Sequence, residues 1–172
     1  GMSEAIKPSV GRGVLHLFCK AAPLLDGDAV VAAVRSAEAD GCQVVAVSTL
    51  GHKCDAAFMA MHEDLKALRA LQSALQRAGL DIVDSYVSLT ETSEYAAGMP
   101  EEHLKARLYP TIPPQAHHMP AWCFYPMSKK READANWFRL PFDDRKALMH
   151  EHGVSGRKFA GRVVQYVTGS TG

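Results

Sequence analysis

Four residues in the last third of the chain are of types that could do chemistry. Tyr125 and Lys129 lie four apart around Pro126, His152 stands just before Gly153, and Gln165 interrupts the apolar stretch F-A-G-R-V-V-Q-Y-V. A neutral imidazole can ligate a metal, a phenol can be oxidised, and a lysine ammonium supplies positive charge to a carboxylate as a point and not as a fork. Each residue also has a plainer role. Tyr125 would be an aromatic at a sheet edge. Lys129, Lys130 and Arg131 would form a solvated basic turn. Gln165 would satisfy a buried backbone group, and His152 would be a core or capping histidine near a helix C-terminus, where a cation is favoured. On type and spacing alone these plainer roles are the stronger reading. Trp122 and Trp137 read as packing residues, and Met127 and Met149 as core. His117 and His118 adjoin in a proline-rich stretch without a cysteine or carboxylate at ligand spacing, so no metal site is expected there.

A helix must position His152. Pro141 precedes Asp143 and Asp144, acidic groups that suit a helix start, and Gly153 suits its end. Leu148, Met149 and His152 share a face, whereas His150 points elsewhere. Strand-like stretches at Trp122–Pro126 and Ala160–Thr168 flank this helix, which makes a β-α-β run. Upstream, Val14–Lys20 reads as a strand and Gly27–Ala39 as a helix opened by Asp26 or Asp28 and closed by Gly41. Val44–Leu50 and Ala56–Met61 read as strands joined by the turn Gly51-His52-Lys53. Leu65, Leu68, Leu71 and Leu75 mark an amphipathic helix over Asp64–Ala78 that Gly79 terminates. Ile82–Thr90 alternates as a further strand. The order β-α-β-β-α-β is that of a ferredoxin-like unit, an antiparallel sheet with both helices on one face. Between the two regions, Glu91–Pro120 holds Pro100, Pro110, Pro113, Pro114 and Pro120 and reads as a linker, helical near Glu101–Arg107, with Tyr95 and Tyr109 pinning it.

The wording of the chain adds to its pattern. Y-P-M-S-K-K-R, N-W-F, L-P, M-H-E-H-G, G-R and T-G-S-T-G follow one another over about fifty residues, and L-H-L-F, G-H-K-C-D-A-A-F-M-A-M-H and S-Y-V-S-L-T-E-T-S-E-Y precede them. In this order they resemble the coproheme decarboxylases, the haem-synthesising branch of the chlorite-dismutase-like family. The resemblance implies peroxide-dependent decarboxylation of two propionates of iron coproporphyrin III (coproheme), giving haem b, with the iron porphyrin as both substrate and redox centre. It implies His152 as proximal iron ligand, Tyr125 as the tyrosine that becomes a radical and attacks a propionate, and Lys129 beside a reacting propionate. It sets Gln165 where chlorite dismutases carry a distal arginine, a departure that argues against chlorite chemistry.

The expected fold is then α+β of the dimeric α+β barrel type. A ferredoxin-like unit spans residues 1–94, a proline-rich linker 95–120, and the first part of a second, incomplete, haem-binding ferredoxin-like unit 121–172. The resemblance implies a further strand, helix and strand past Gly172, carrying part of the porphyrin pocket and a carboxylate that orients the proximal histidine. It also implies a homo-oligomer, a pentamer in related proteins. Two other readings stay open: a non-catalytic porphyrin-binding or structural barrel protein, and a chlorite dismutase or haem peroxidase.

Composition sets the outer bounds. The 172 residues carry equal numbers of acidic and basic side chains and are 47% hydrophobic. That is a globular composition with material for a core and without the basic excess of a nucleic-acid binder. Gly1 before Met2 is read as an appended residue. No signal peptide and no membrane span are expected. Cys19, Cys42, Cys54 and Cys123 form no C-x-x-C pair and read as reduced thiols of a cytoplasmic protein.

Overall fold

The computed structural model describes residues 3–92, 98–112, 124 and 168–170. The second β-α-β and the segment around His117 and His118 lie outside the described residues, apart from Phe124 and 168–170. Strand β1 (Gly13–Ala21) leads to helix α1 (Gly27–Ala39), then β2 (Gln43–Ser48), β3 (Ala56–His62), helix α2 (Leu65–Arg77) and β4 (Leu80–Thr90). A short helix α3 (Glu101–Leu108) and a strand β5 (Thr168–Ser170) follow. The strands form one antiparallel sheet in the order β2-β3-β1-β4-β5. This is the expected α+β arrangement with a ferredoxin-like unit at its start.

Local chemistry sets the element ends. Asp26 caps α1 by accepting the Ala29 N–H at 3.1 Å, and Asp64 caps α2 by accepting the Lys66 N–H at 3.0 Å. Asp64 also accepts the Ile6 N–H at 3.0 Å, and these backbone donors, Lys66 first, hold its carboxyl below the usual range. Gly79 stops α2 with φ +103°, where a Cβ would meet Leu25 Cα at 2.8 Å. Between β2 and β3 the chain turns over residues 49–55, closed by Thr49 N–H on Asp55 O at 3.1 Å and Thr49 Oγ1 on Cys54 O at 2.8 Å. That closure ends β2 at Ser48, two residues before the expected Leu50.

The sheet has two faces of different use. Leu15, Leu17 and Cys19 of β1 pack with Phe58 and Ala60 of β3 against Ala33 and Ala37 of α1 and Leu68, Leu71 and Leu75 of α2. Both helices therefore cover one face. Val14 of β1, with Met59 and Met61 of β3, forms a separate cluster with Ile112 on the other. Every residue from Gly13 to Leu17 and from Ala57 to Met61 is buried. A strand buried along its length must be covered on both sides.

The segment after α3 supplies part of that second cover. Thr90 Oγ1 donates to Leu108 O at 2.6 Å while accepting the Arg12 N–H at 2.9 Å. Gln43 then clasps the chain twice, donating to Pro110 O at 3.1 Å and accepting the Ile112 N–H at 2.6 Å. The linker thus crosses from the β4 side of the sheet to the β2 side, and Tyr109 lies under the Arg12 guanidinium, 5.9 Å from ring centroid to Cζ.

The expected strand Ala160–Thr168 lies outside the described residues apart from Thr168, which opens β5 (Thr168–Ser170), paired with Ser88–Thr90. Glycine lowers intrinsic strand preference, but the hydrogen-bonding edge of β4 accepts Gly169 opposite Leu89. Among the described residues Cys19 and Cys42 are buried, and burial pushes both thiols up to about 11. Among the described residues no helix is long and apolar enough to cross a membrane.

Candidate functional site

The face of the sheet turned away from α1 and α2 gathers an aromatic group. His16 and Phe18 are two apart on β1 and so project to the same side. The register sets His16 opposite Tyr86 of β4 and Met59 of β3. Phe124 joins them from far along the chain. Its ring centroid lies 4.5 Å from that of His16, 5.0 Å from Tyr86 and 5.3 Å from Phe18, with the planes tilted by 42° to 55°. Phe18 and Tyr86 meet edge to face at 6.3 Å. These separations fall in the range where tilted and edge-on aromatic pairs attract beyond their buried area.

Burial decides the state of the histidine. His16 is 6% exposed, and desolvation lowers its pKa to about 4. The imidazole is therefore neutral near pH 7 and behaves as one more ring in the group. Val14, Met59, Met61 and Ile112 continue the same face as an apolar floor. Tyr86 is the member that reaches solvent.

The four residues singled out from sequence, Tyr125, Lys129, His152 and Gln165, lie outside the described residues. Phe124, bonded to Tyr125, is the described residue that stands beside one of them. Sequence reasoning had passed over His16, Phe18, Tyr86 and Phe124 as individual residues. The available signal was the alternation of L-H-L-F, which sets a histidine and a phenylalanine on one face of an otherwise apolar strand. Among the described residues no group of three or more His, Cys, Asp or Glu side chains is arranged to hold a metal. The described part of the site offers an apolar, aromatic surface and no cluster of donors.

Comparison with known proteins bears on what such a surface serves. A family model described as chlorite dismutase matches residues 26–172. Among solved structures, a novel heme-binding protein from Thermus thermophilus is 29% identical, with the match covering 96% of this chain and 76% of that one at a TM-score of 0.77. A variant of chlorite dismutase from Candidatus Nitrospira defluvii is 18% identical, over 96% of this chain and 73% of its own, at 0.59. A doubly substituted variant of the same protein is 17% identical, over 88% and 68%, at 0.55. The two variants speak for the fold alone.

Proposed function

The chain belongs to the chlorite dismutase family, and from that premise we propose that it is a haem-dependent oxidoreductase that uses hydrogen peroxide to decarboxylate two propionates of iron coproporphyrin III. The observation that carries this reading is the ordered run of Tyr125, Lys129 and His152 in the sequence, together with Gln165, which the resemblance sets where chlorite dismutases carry a distal arginine. The 29% identical heme-binding protein supports the porphyrin.

His152 would hold the iron through a neutral imidazole, an ordinary axial ligand. Lys129 would set a propionate carboxylate in place by charge. Tyr125 would serve as the one-electron, one-proton relay that removes a hydrogen atom from the β-carbon of the propionate, so that the carboxylate would leave as carbon dioxide and a vinyl group would stand where the propionate was. Per propionate the balance is RCH2CH2COO− + H2O2 + H+ → RCH=CH2 + CO2 + 2 H2O, so the two propionates consume two peroxides. The bound porphyrin would relay the oxidising equivalents of the peroxide, and the protein would supply orientation and exclusion of water. The reading includes a cytoplasmic, homo-oligomeric protein, pentameric as the resemblance implies, which light scattering would weigh.

The test is a titration with iron coproporphyrin III, then peroxide, with mass spectrometry of the porphyrin. Stepwise loss of two carboxyl groups is expected. Tyr125→Phe should slow turnover at least about a hundredfold while coproheme affinity stays within about threefold, because the phenol acts in the chemical step and not in binding. Binding without mass loss would make the protein a porphyrin carrier. The family model supports one second reading, chlorite dismutation. Oxygen release on adding chlorite to the haem-loaded protein would establish it and overturn the first.

A further inference from the structure

Away from the aromatic face, a cavity of about 220 Å³ opens where the chain enters β1, lined among the described residues by Lys7, Arg12, Gly41, His62 and Glu63. Two cations converge on it. Neither Lys7 nor Arg12 has a carboxylate within 4 Å among the described residues, where the one ion pair is Lys20 with Asp55 at 3.8 Å. Arg12 is fixed from its backbone, its N–H on Thr90 Oγ1 and its carbonyl accepting the Thr90 N–H at 2.9 Å. Its guanidinium is backed by the Tyr109 ring. Its Nε–H is buried and has no acceptor among the described residues.

A buried donor without an acceptor is costly, more so on a charged group. The surrounding side chains do not supply one. His62 is spent on its own loop, with Nδ1 accepting the Asp64 N–H at 2.7 Å and Nε2 donating to Asp40 O at 2.9 Å. That pattern fixes the neutral tautomer and makes His62 a wall of the cavity, not a ligand. Gly41 lines the cavity with φ +93°, a left-handed backbone that favours glycine, and a Cβ there would meet the His62 ring at an ordinary 3.4 Å. Glu63 carries the one carboxylate among these lining residues, and it forms no ion pair within 4 Å with Lys7 or Arg12.

We propose that this cavity binds a small oxyanion, a carboxylate or a phosphate group, between the Arg12 guanidinium and the Lys7 ammonium. Arg12 supplies the directed donors and Lys7 the point charge, the division of labour their geometries favour. The site is separate from the proposed porphyrin chemistry and does not depend on it.

The test uses the full chain without porphyrin. Inorganic phosphate and, in a parallel arm, acetate are titrated by calorimetry, with sodium chloride holding ionic strength constant. One saturable site is expected. Tighter phosphate binding names a phosphate ligand, and tighter acetate binding names a carboxylate. Arg12→Gln should raise the dissociation constant at least tenfold. Arg12→Lys, which keeps charge and loses the Nε–H, should raise it nearly as much. Lys7→Gln, at an exposed position, should raise it about threefold and carries the test if the Arg12 variants do not fold. No saturable heat with either anion, or equal affinity in wild type and variants, overturns the proposal.

Discussion

His16 holds its proton in the folded chain only below about pH 4, whereas an unburied histidine takes one up at 6.5. The unfolded state therefore binds the extra proton through that window. Stability is full above pH 6.5 and falls as pH drops towards 4, by at most about 3.5 kcal/mol at about 1.4 kcal/mol per unit of pKa difference. His16→Phe keeps a ring on Phe124 and removes the titration. Its urea midpoint should fall less steeply than that of wild type between pH 6.5 and 4, and parallel profiles would show that His16 titrates normally in the fold. Phe124→Ala should cost about 3 kcal/mol or more, since it strips one ring from three partners at once. A loss below about 1 kcal/mol in chemical denaturation would mean the four rings are not a packed group. At this scale the sequence was partly legible. His16 was visible in L-H-L-F, but its neutrality depends on Met59, Tyr86 and Phe124, residues 43 or more positions away that only the folded sheet brings to it.

Helix α2 joins the strongest sequence signal to the deepest burial. Leu68, Leu71 and Leu75 recur at helical spacing and are 4%, 2% and 0% exposed. Leu75→Ala should cost about 2–5 kcal/mol, the transfer of the side chain plus the cavity it leaves. Gly79→Ala should also destabilise, by about 1–3 kcal/mol, because a left-handed backbone and the Leu25 backbone at 2.8 Å both oppose a Cβ. An unchanged thermal midpoint for Gly79→Ala would show that the turn after α2 relaxes. The elements of the first unit were legible because their signals are local: acidic caps at Asp26 and Asp64, glycines after each helix, and apolar periods of two and of three to four. Their exact ends were not. Ser48 ends β2 because Thr49 turns to bond Asp55 and Cys54.

For the whole molecule, the proposed porphyrin binding would be linked to folding. Iron coproporphyrin III at a hundred times its dissociation constant should stabilise the chain by about 2.7 kcal/mol and raise the thermal midpoint accordingly. An unmoved midpoint at saturating porphyrin would sink porphyrin binding by this chain. The outer edge also stands open among the described residues, with Leu50 fully exposed beyond β2 and Val31 of α1 about half exposed. The sequence by itself determined the β-α-β-β-α-β order, the helix faces and the family, because periodicity, caps and ordered motifs are written along the chain. Tertiary structure alone decided which sheet face the linker crosses, which rings receive Phe124, and that Arg12 buries a donor without an acceptor among the described residues. Those outcomes rest on contacts between residues dozens of positions apart, such as Gln43 with Ile112 or His16 with Phe124, and such pairs meet only once the strands have taken their register.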